Sequence, residues 1–515
     1  MPSIALFFPR PWPGQTMSGR LPYSLMILHA ALQDSPYQVH IIDERTTPDL
    51  EAAVRALPRD MVCFGISSFT GVQVANGLNV ARVLRRVQPD TPIVWGGWHP
   101  SGMPAQTAQH PLVDVAVRGQ GHAVLRELAD TLASGGDLDA VQGITFLRDG
   151  QVVHTPSRTS HPSMERLRMP LAAVDVGRYV FRKAYADRSE RTLGILTSLG
   201  CPYHCGFCAV ASVYKRKVQF RDMDIILDEI DWMVENHAIN GLTIDDDNFF
   251  VSPSRVREFC NTLLQRPYRL AWDAGVSANL LLEHYSDEDL ALIRESGCSQ
   301  LYIGAESGSE EVMRLVGKKA TVEHTYQFVR RMGQAGIRAS VSSMVGLPGV
   351  PESEFDSTLD MILRCRELNP DFDFRTFYYT PYPSTPLYER SKEHGFQEPA
   401  SLEGWADHTL RRFKAPWVST SLRRRVKHFV FYFYPLSEAQ PPRTEACTAL
   451  GRVAARVFDL LFGNRLLQAL ARWRVRRRDF RVPVDAAWVM FGLRIKSRLD
   501  AFINHNADIF SDYDR

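Results

Sequence analysis

The sequence predicts an α/β protein with two successive βα series and a helical C-terminal region. Three observations predict it. Five short apolar segments alternate with amphipathic stretches in the first 140 residues. A second series of six apolar segments runs from Thr192 to Thr380. After Trp405 that alternation stops, and basic and aromatic residues mix at helical spacing. At 515 residues the chain also needs more than one core.

In the first series the expected strands are Ile4–Phe8, Val39–Asp43, Met61–Ser67, Pro92–Gly97 and Val113–Gly119. Helical patterns fall between them, clearest from Gly71 to Val87. Strands alternating with helices imply a parallel, doubly wound sheet. Ligands of such sheets bind at the carboxyl ends of the strands. Those ends carry Ser67, Thr70, Gly96, Gly97 and Gly119. A dinucleotide site would need G-x-G-x-x-G after the first strand. The segment Pro9-Arg10-Pro11-Trp12-Pro13-Gly14 stands there instead and excludes it.

Residues 141–190 read as a hairpin, Ile144–Thr155 around Asp149-Gly150, and a Ser/Pro/His-rich linker, Thr155–Pro170. Residues 191–395 hold the second series. Its strands are expected at Thr192–Ser198, Gly241–Asp247, Leu270–Val276, Gln300–Ser307, Arg338–Leu347 and Phe372–Thr380. Six units in about 200 residues fit a partial (β/α)6 barrel, since a full eight-unit barrel takes about 250. Residues 396–515 form the basic helical region.

Hydrophobic residues are 45% and charged residues 23% of the chain, an ordinary globular composition. No apolar run approaches the roughly 18 residues of a spanning helix. The N-terminus lacks the basic, apolar and small-residue zones of a signal peptide. A cytoplasmic location is therefore expected. Five cysteines are scattered: Cys63, Cys260, Cys298, Cys365 and Cys447. Cys201, Cys205 and Cys208 are crowded together, which points to a metal site rather than a disulfide framework.

With eight cysteines in 515 residues, C-x3-C-x2-C arises by chance about 0.002 times per chain, so the spacing needs a cause. A short loop with Gly200 and Gly206 can wrap three thiolates around one centre. Iron–sulfur cubanes take cysteine thiolates, usually four. Three leave one iron open. Structural zinc wants four closed ligands, and no second cysteine pair lies nearby.

This motif, with Phe207 before the third cysteine, resembles the radical S-adenosylmethionine (SAM) superfamily. The resemblance covers about Thr192–Gly395. It implies a [4Fe–4S] cluster on Cys201, Cys205 and Cys208, whose open iron binds SAM, and reductive cleavage to a 5′-deoxyadenosyl radical. It also implies roles for the strand ends. Asp246 and Asp247 would lie near the SAM ammonium, and the competing reading is a solvated acidic turn. Glu306 and Ser307 match the ribose-contacting segment, against a simple helix cap. Gly346, in the GLPG turn, and the Tyr379-Thr380-Pro381 exit would face the adenine.

The N-terminal domain, 1–140, resembles the flavodoxin-like (Rossmann-type) cobalamin-binding domain of one class of that superfamily. The resemblance implies cobalamin over the loops at Ser67, Thr70, Gly96, Gly97 and Gly119. There is no D-x-H-x-x-G, so no protein histidine is expected below the cobalt; His99 reads as shaping its loop. The family's RGEGE carboxylates are replaced by Gln120 and His122. A degenerate domain that binds no cobalamin is the competing reading.

The layout resembles the class's methyltransferases and the anaerobic magnesium-protoporphyrin ester cyclase. It implies methyl transfer to an unactivated carbon, one SAM serving as methyl source and a second as radical source. Oxidative cyclisation or rearrangement is the alternative, and a non-catalytic corrinoid or iron–sulfur protein a more distant one. The implied partners are a small-molecule, lipid or tetrapyrrole substrate and a flavodoxin- or ferredoxin-type electron donor. From Ala415 onward Lys/Arg outnumber Asp/Glu two to one, as in Leu422–Tyr434 and Leu460–Arg478. Such helices rest on anionic membrane surfaces or form a solvated cap. Nucleic acid is not expected, because no RNA-binding module is appended.

Overall fold

The computed structural model describes residues 1–11, 19–160, 162–185, 188–409, 413–430 and 465–480. Trp12–Gly14, Cys447, residues 431–434 and residues 460–464 of the segments discussed above lie outside them. The chain divides into two compact units, Met1–Phe413 and Lys414–Arg515.

The first unit opens with strands β1 (Ser3–Phe8), β2 (Gln38–Asp43), β3 (Met61–Ser67), β4 (Ile93–Gly96) and β5 (Val115–Val117). All pair in parallel, in the order β2-β1-β3-β4-β5. Side chains alternate across this sheet, and both faces are covered. Ile4 and Leu6 pack with Leu25, Val94 and Leu125 on one face. Ala5 and Phe7 pack with Phe64, Leu78 and Trp95 on the other. The helix Val72–Val87 buries Val74, Gly77, Leu78, Ala81 and Leu84, one stripe at three- and four-residue spacing. The expected hairpin is present as β6 (Ile144–Arg148) and β7 (Gln151–His154), and it extends the same sheet antiparallel to β5.

The second sheet begins with β8 (Phe181–Tyr185), antiparallel to β9 (Arg188–Ile195). A two-stranded ribbon, β10 (Ser198–Leu199) with β11 (Gln219–Phe220), follows. Then come β12 (Gly241–Ile244), β13 (Ala271–Gly275), β14 (Cys298–Glu306), β15 (Arg338–Val345) and β16 (Phe372–Tyr378). The sheet order is β16-β15-β14-β13-β12-β9-β8, with the six parallel strands, β9 and β12 to β16, in sequence order and no pairing between the edges among the described residues. This is the expected partial barrel with one added edge strand.

One face of this sheet is apolar and buried: Leu193, Leu242, Trp272, Leu301 and Ala339 are all within 1% of full burial. Alternate positions on the other face are polar or small: Gly194, Thr243, Asp273, Tyr302 and Ser340. Lys183 on β8 ties that polar row together. Its Nζ donates to Asp273 Oδ2 at 2.7 Å, Tyr302 Oη at 2.9 Å and Thr243 Oγ1 at 3.4 Å. A charge placed there is satisfied by partners rather than left buried alone.

In the second unit the described helices are Thr420–His428 and Arg465–Arg477. Leu422, Val426, Phe429, Ala471, Val475 and Phe480 are buried. His428 Nδ1 lies 2.7 Å from the Phe480 carbonyl, joining the two segments. Among the described residues no helix is long and apolar enough to cross a membrane.

Candidate active site

The three crowded cysteines lie on the loop between β10 and the short helix Val210–Tyr214. All are half-buried and none is in a disulfide. The loop leaves β10 through Gly200 at φ +90°, where a Cβ would overlap the Lys217 carbonyl. Gly206 anchors its middle. Gly206 N donates to Val316 O at 2.8 Å, and Leu387 N donates to Gly206 O at 2.9 Å. Cys208 N closes a turn onto Cys205 O at 3.0 Å. Burial raises all three thiols, Cys208 to about 12. Cys205 also raises Cys201, and both raise Cys208. Metal binding takes thiols as thiolates, so loading this loop would release their protons.

The acidic turn after β12 braces this loop. Asp246 is buried and accepts three hydrogen bonds: from Thr197 N at 2.6 Å, Thr197 Oγ1 at 2.5 Å and Ser198 Oγ at 2.6 Å. Asp247 Oδ2 accepts from Gly200 N at 2.9 Å. Asp245 is held by residues of the N-terminal domain: Arg20 Nε at 2.8 Å and Tyr23 Oη at 3.3 Å. Burial pushes the Asp245 carboxyl up to about 6 in spite of Arg20. Asp246 and Asp247 therefore position the start of the cysteine loop through its backbone. The solvated-turn alternative does not describe Asp246, whose oxygens are both engaged by protein.

Next in the chain, Asn248 is 2% exposed and its Oδ1 has no protein partner. Its side chain reaches Cys201. Thr380, at the carboxyl end of β16, is 3% exposed and its Oγ1 is likewise without a protein partner. Buried polar atoms with no partner on the protein are expected where a polar ligand seats. Both lie at the strand ends where the sequence points to SAM.

At the end of β14, Glu306 adopts φ +60° at a break in the register with β15. A left-handed glutamate costs energy and marks a constrained position. Its Oε1 pairs with Lys318 Nζ at 2.9 Å, and both side chains are nearly buried. Ser307 is fully buried and donates to Glu354 Oε1. Gly346 follows β15 at φ +75°. Phe207 is half-buried in the cysteine loop.

A cleft, open at its mouth, lies at the carboxyl edge of the first sheet. Ser67, Gly96, Gly97 and Gly119 line it, as do Ser68, Gln120 and His122. Gly97 has φ +103°, and a Cβ there would sit 2.7 Å from Ser68 O. Ser68 Oγ and Gln120 Oε1 are buried without protein partners. The floor is apolar, with Leu6, Leu25, Ile66, Val94 and Leu125. None of the lining residues is Asp, Glu, Lys or Arg. A large, mostly uncharged ligand rich in amide groups, such as a corrinoid, fits that chemistry. Leu199, Val213 and Tyr214, which flank the cysteine loop, form part of the same wall. Trp98 joins the two sides, stacking on Phe69 at 6.2 Å and meeting Tyr214 edge-on at 5.9 Å.

Thr70 does not line the cleft; its Oγ1 lies 3.0 Å from His99 Nδ1. His99 is fully buried against Trp405 at 5.1 Å, and burial lowers it to about 3. It shapes its loop from behind. Sequence reasoning missed Lys318, Asn248 and Tyr214. Only Tyr214 carried a local hint, as an aromatic residue six positions after the third cysteine.

The Radical SAM superfamily model matches residues 195–362, and the B12 binding domain model matches residues 21–129. The chain is 24% identical over 419 residues to an uncharacterized methyltransferase of Pyrococcus horikoshii, covering 79% of this chain and 86% of that protein. It is 26% identical over 313 residues to the anaerobic magnesium-protoporphyrin IX monomethyl ester cyclase of Rubrivivax gelatinosus, covering 60% of this chain and 54% of the cyclase. The cobalamin-dependent S-adenosylmethionine radical enzyme OxsB superposes with a TM-score of 0.70 at 15% identity, over 100% of this chain and 82% of that one. At that identity the likeness is one of fold.

Proposed function

Since the chain belongs to the radical SAM enzymes that carry a B12-binding domain, we propose that it transfers a methyl group to an unactivated carbon of a small-molecule substrate. Its cofactors are a [4Fe–4S] cluster, SAM and cobalamin. One observation carries the proposal. The cleft that fits a corrinoid and the loop that fits a cluster share a wall at Leu199, Val213 and Tyr214. A methyl carrier and a radical source set side by side can serve one carbon in turn.

When bound, the cluster supplies the electron that cleaves SAM, and the corrinoid supplies the methyl carrier. The chain's own residues bind and orient. Cys201, Cys205 and Cys208 would hold the cluster. Asp246 and Asp247 hold the backbone from Thr197 to Gly200, where the cysteine loop begins. Asn248 Oδ1 would accept from SAM and Thr380 Oγ1 would accept from it or donate to it, Glu306 would take its ribose hydroxyls, and Gly346 would let the backbone approach its adenine. Ser67, Ser68, Gly96, Gly97, Gly119 and Gln120 receive the corrinoid. Trp98 and Tyr214 exclude water between the two cofactors.

The P. horikoshii relative is named a methyltransferase and the R. gelatinosus relative a magnesium-protoporphyrin ester cyclase, so a tetrapyrrole is the proposed substrate class. A flavodoxin- or ferredoxin-type protein is the proposed electron donor. Leu470 and Trp473 stand exposed on the arginine-rich helix Arg465–Arg477, which supports contact with an anionic membrane surface.

The test is anaerobic incubation of the reconstituted chain with candidate substrates. Methyl transfer yields S-adenosylhomocysteine and 5′-deoxyadenosine together. Formation of 5′-deoxyadenosine alone, with a cyclised product, contradicts it.

A further inference from the structure

The segment that follows the third cysteine carries Lys215-Arg216-Lys217, consecutive exposed cations. Their turn is fixed to the cysteine loop from both directions. Before it lies the short helix Val210–Tyr214, which starts just after Cys208. After it β11 pairs antiparallel with β10, the strand that enters the loop. The Lys217 carbonyl oxygen lies 2.1 Å from where a Cβ of Gly200 would be, and Gly200 adjoins Cys201. Lys215 and Arg216 both take left-handed backbone, at φ +52° and +61°. Glycine or asparagine would turn here with less strain, so turn geometry alone does not require two long cations. Backbone strain of this kind clusters at functional sites.

More cations flank the loop on a second element. Val316 O accepts from Gly206 N at 2.8 Å, and a Cβ at Gly317 would lie 3.7 Å from the His204 carbonyl oxygen. Arg314 and Lys319, on either side of these residues in the chain, are exposed. The acidic Glu310 and Glu311 stand at the far end of the same helix, Glu310–Leu315, in its first turn. Among the described residues, none of Lys215, Arg216, Lys217, Arg314 and Lys319 forms an ion pair. Within the loop Pro202 and His204 are exposed and the cysteines half-buried, so its outer side is open to a partner. Residues 214–217 and 314–319 expose no large hydrophobic side chain, as insertion into lipid would need.

We propose that this basic surface around the cysteine loop docks an acidic flavodoxin-type electron carrier. The proposal rests on the cluster assignment above. Unpaired charges of one sign attract and orient a partner of the other sign, and here they surround the loop that holds the cluster. One electron passes from the carrier to the cluster, the flavin goes from hydroquinone to semiquinone, and no bond is made or broken.

The test is a calorimetric titration of a bacterial flavodoxin into the reconstituted full chain at low and at moderate salt. The parent is expected to bind, and more weakly as salt rises. The triple variant Lys215→Glu, Arg216→Glu, Lys217→Glu is expected to bind about tenfold more weakly, and the double variant Arg314→Glu, Lys319→Glu about threefold more weakly. Formation of 5′-deoxyadenosine driven by reduced flavodoxin falls in both. Formation driven by photoreduced deazariboflavin, a small uncharged donor, stays at the parent's rate. No binding by the parent, or unchanged affinity in the triple variant, overturns the proposal. An equal loss of 5′-deoxyadenosine with deazariboflavin overturns it as well. If the triple variant takes up less iron than the parent, unchanged affinity in the double variant overturns it instead. A parent without iron, or one that cleaves no SAM with either donor, sinks the cluster assignment, and the calorimetry still decides the docking.

Discussion

Asp246 shows how much of the site depends on a single side chain. Its carboxylate receives one backbone and two hydroxyl donors from Thr197 and Ser198. Each buried donor left without an acceptor costs about 1–3 kcal/mol. Asp246→Ala is therefore expected to lower the Tm of the apo-protein and reduce the iron bound per chain, with calorimetry and iron analysis as the checks. Cys205→Ala acts more directly. Two thiolates do not hold a cubane, so the variant should lack the brown chromophore and SAM cleavage. Asp245 gives a pH signature. Its side chain is 4% exposed and its folded carboxyl titrates near 6, above the ordinary aspartate value of about 4. A raised pKa means the native state holds the proton more tightly than the unfolded chain does. Its contribution, about 3 kcal/mol, is complete below about pH 4 and is lost as pH rises through about 6. Asp245→Asn should flatten the apo-protein's stability between those limits, as read by urea melts at a series of pH values.

Among the elements, the cysteine loop depends on the exit from β10. Gly200 has φ +90°, and the Lys217 carbonyl occupies the space a Cβ would need. Gly200→Ala is expected to shift the loop and at least halve the iron bound, leaving the far-ultraviolet circular dichroism of the sheets unchanged. Met61–Ser67 was legible in the sequence, and placed without error, because a parallel strand buried on both faces reads as an apolar run; β12 to β16, apolar on one face and polar or small on the other, were placed within three residues at either end. Edge strand β8 was not. Phe181-Arg182-Lys183-Ala184-Tyr185 shows no apolar run, and the reason for Lys183 lies 90 residues away at Asp273. Lys318 escaped notice for the same reason. Its turn is unremarkable locally, and its meaning comes from the Gly206–Val316 hydrogen bond across the barrel mouth. The cysteines could be read because their ligand spacing is short-range.

At the scale of the whole first unit, two cofactor sites meet on one wall but rest on different backbones. They should load independently. Gly97→Ala puts a Cβ 2.7 Å from Ser68 O in a left-handed conformation. It is expected to weaken cobalamin binding about tenfold or more, a cost of about 1–2 kcal/mol in backbone strain, with iron content unchanged. The converse holds for Cys205→Ala, which should still bind cobalamin. Visible absorption of chains reconstituted with each cofactor alone checks both. The central claim is that three neighbouring thiolates carry a cluster with one iron left for SAM. The most direct test is the EPR spectrum of the anaerobically reconstituted, reduced chain before and after SAM is added. A [4Fe–4S] signal that changes on addition of SAM is the predicted result. Bound zinc, no iron, or a cluster signal indifferent to SAM would contradict it.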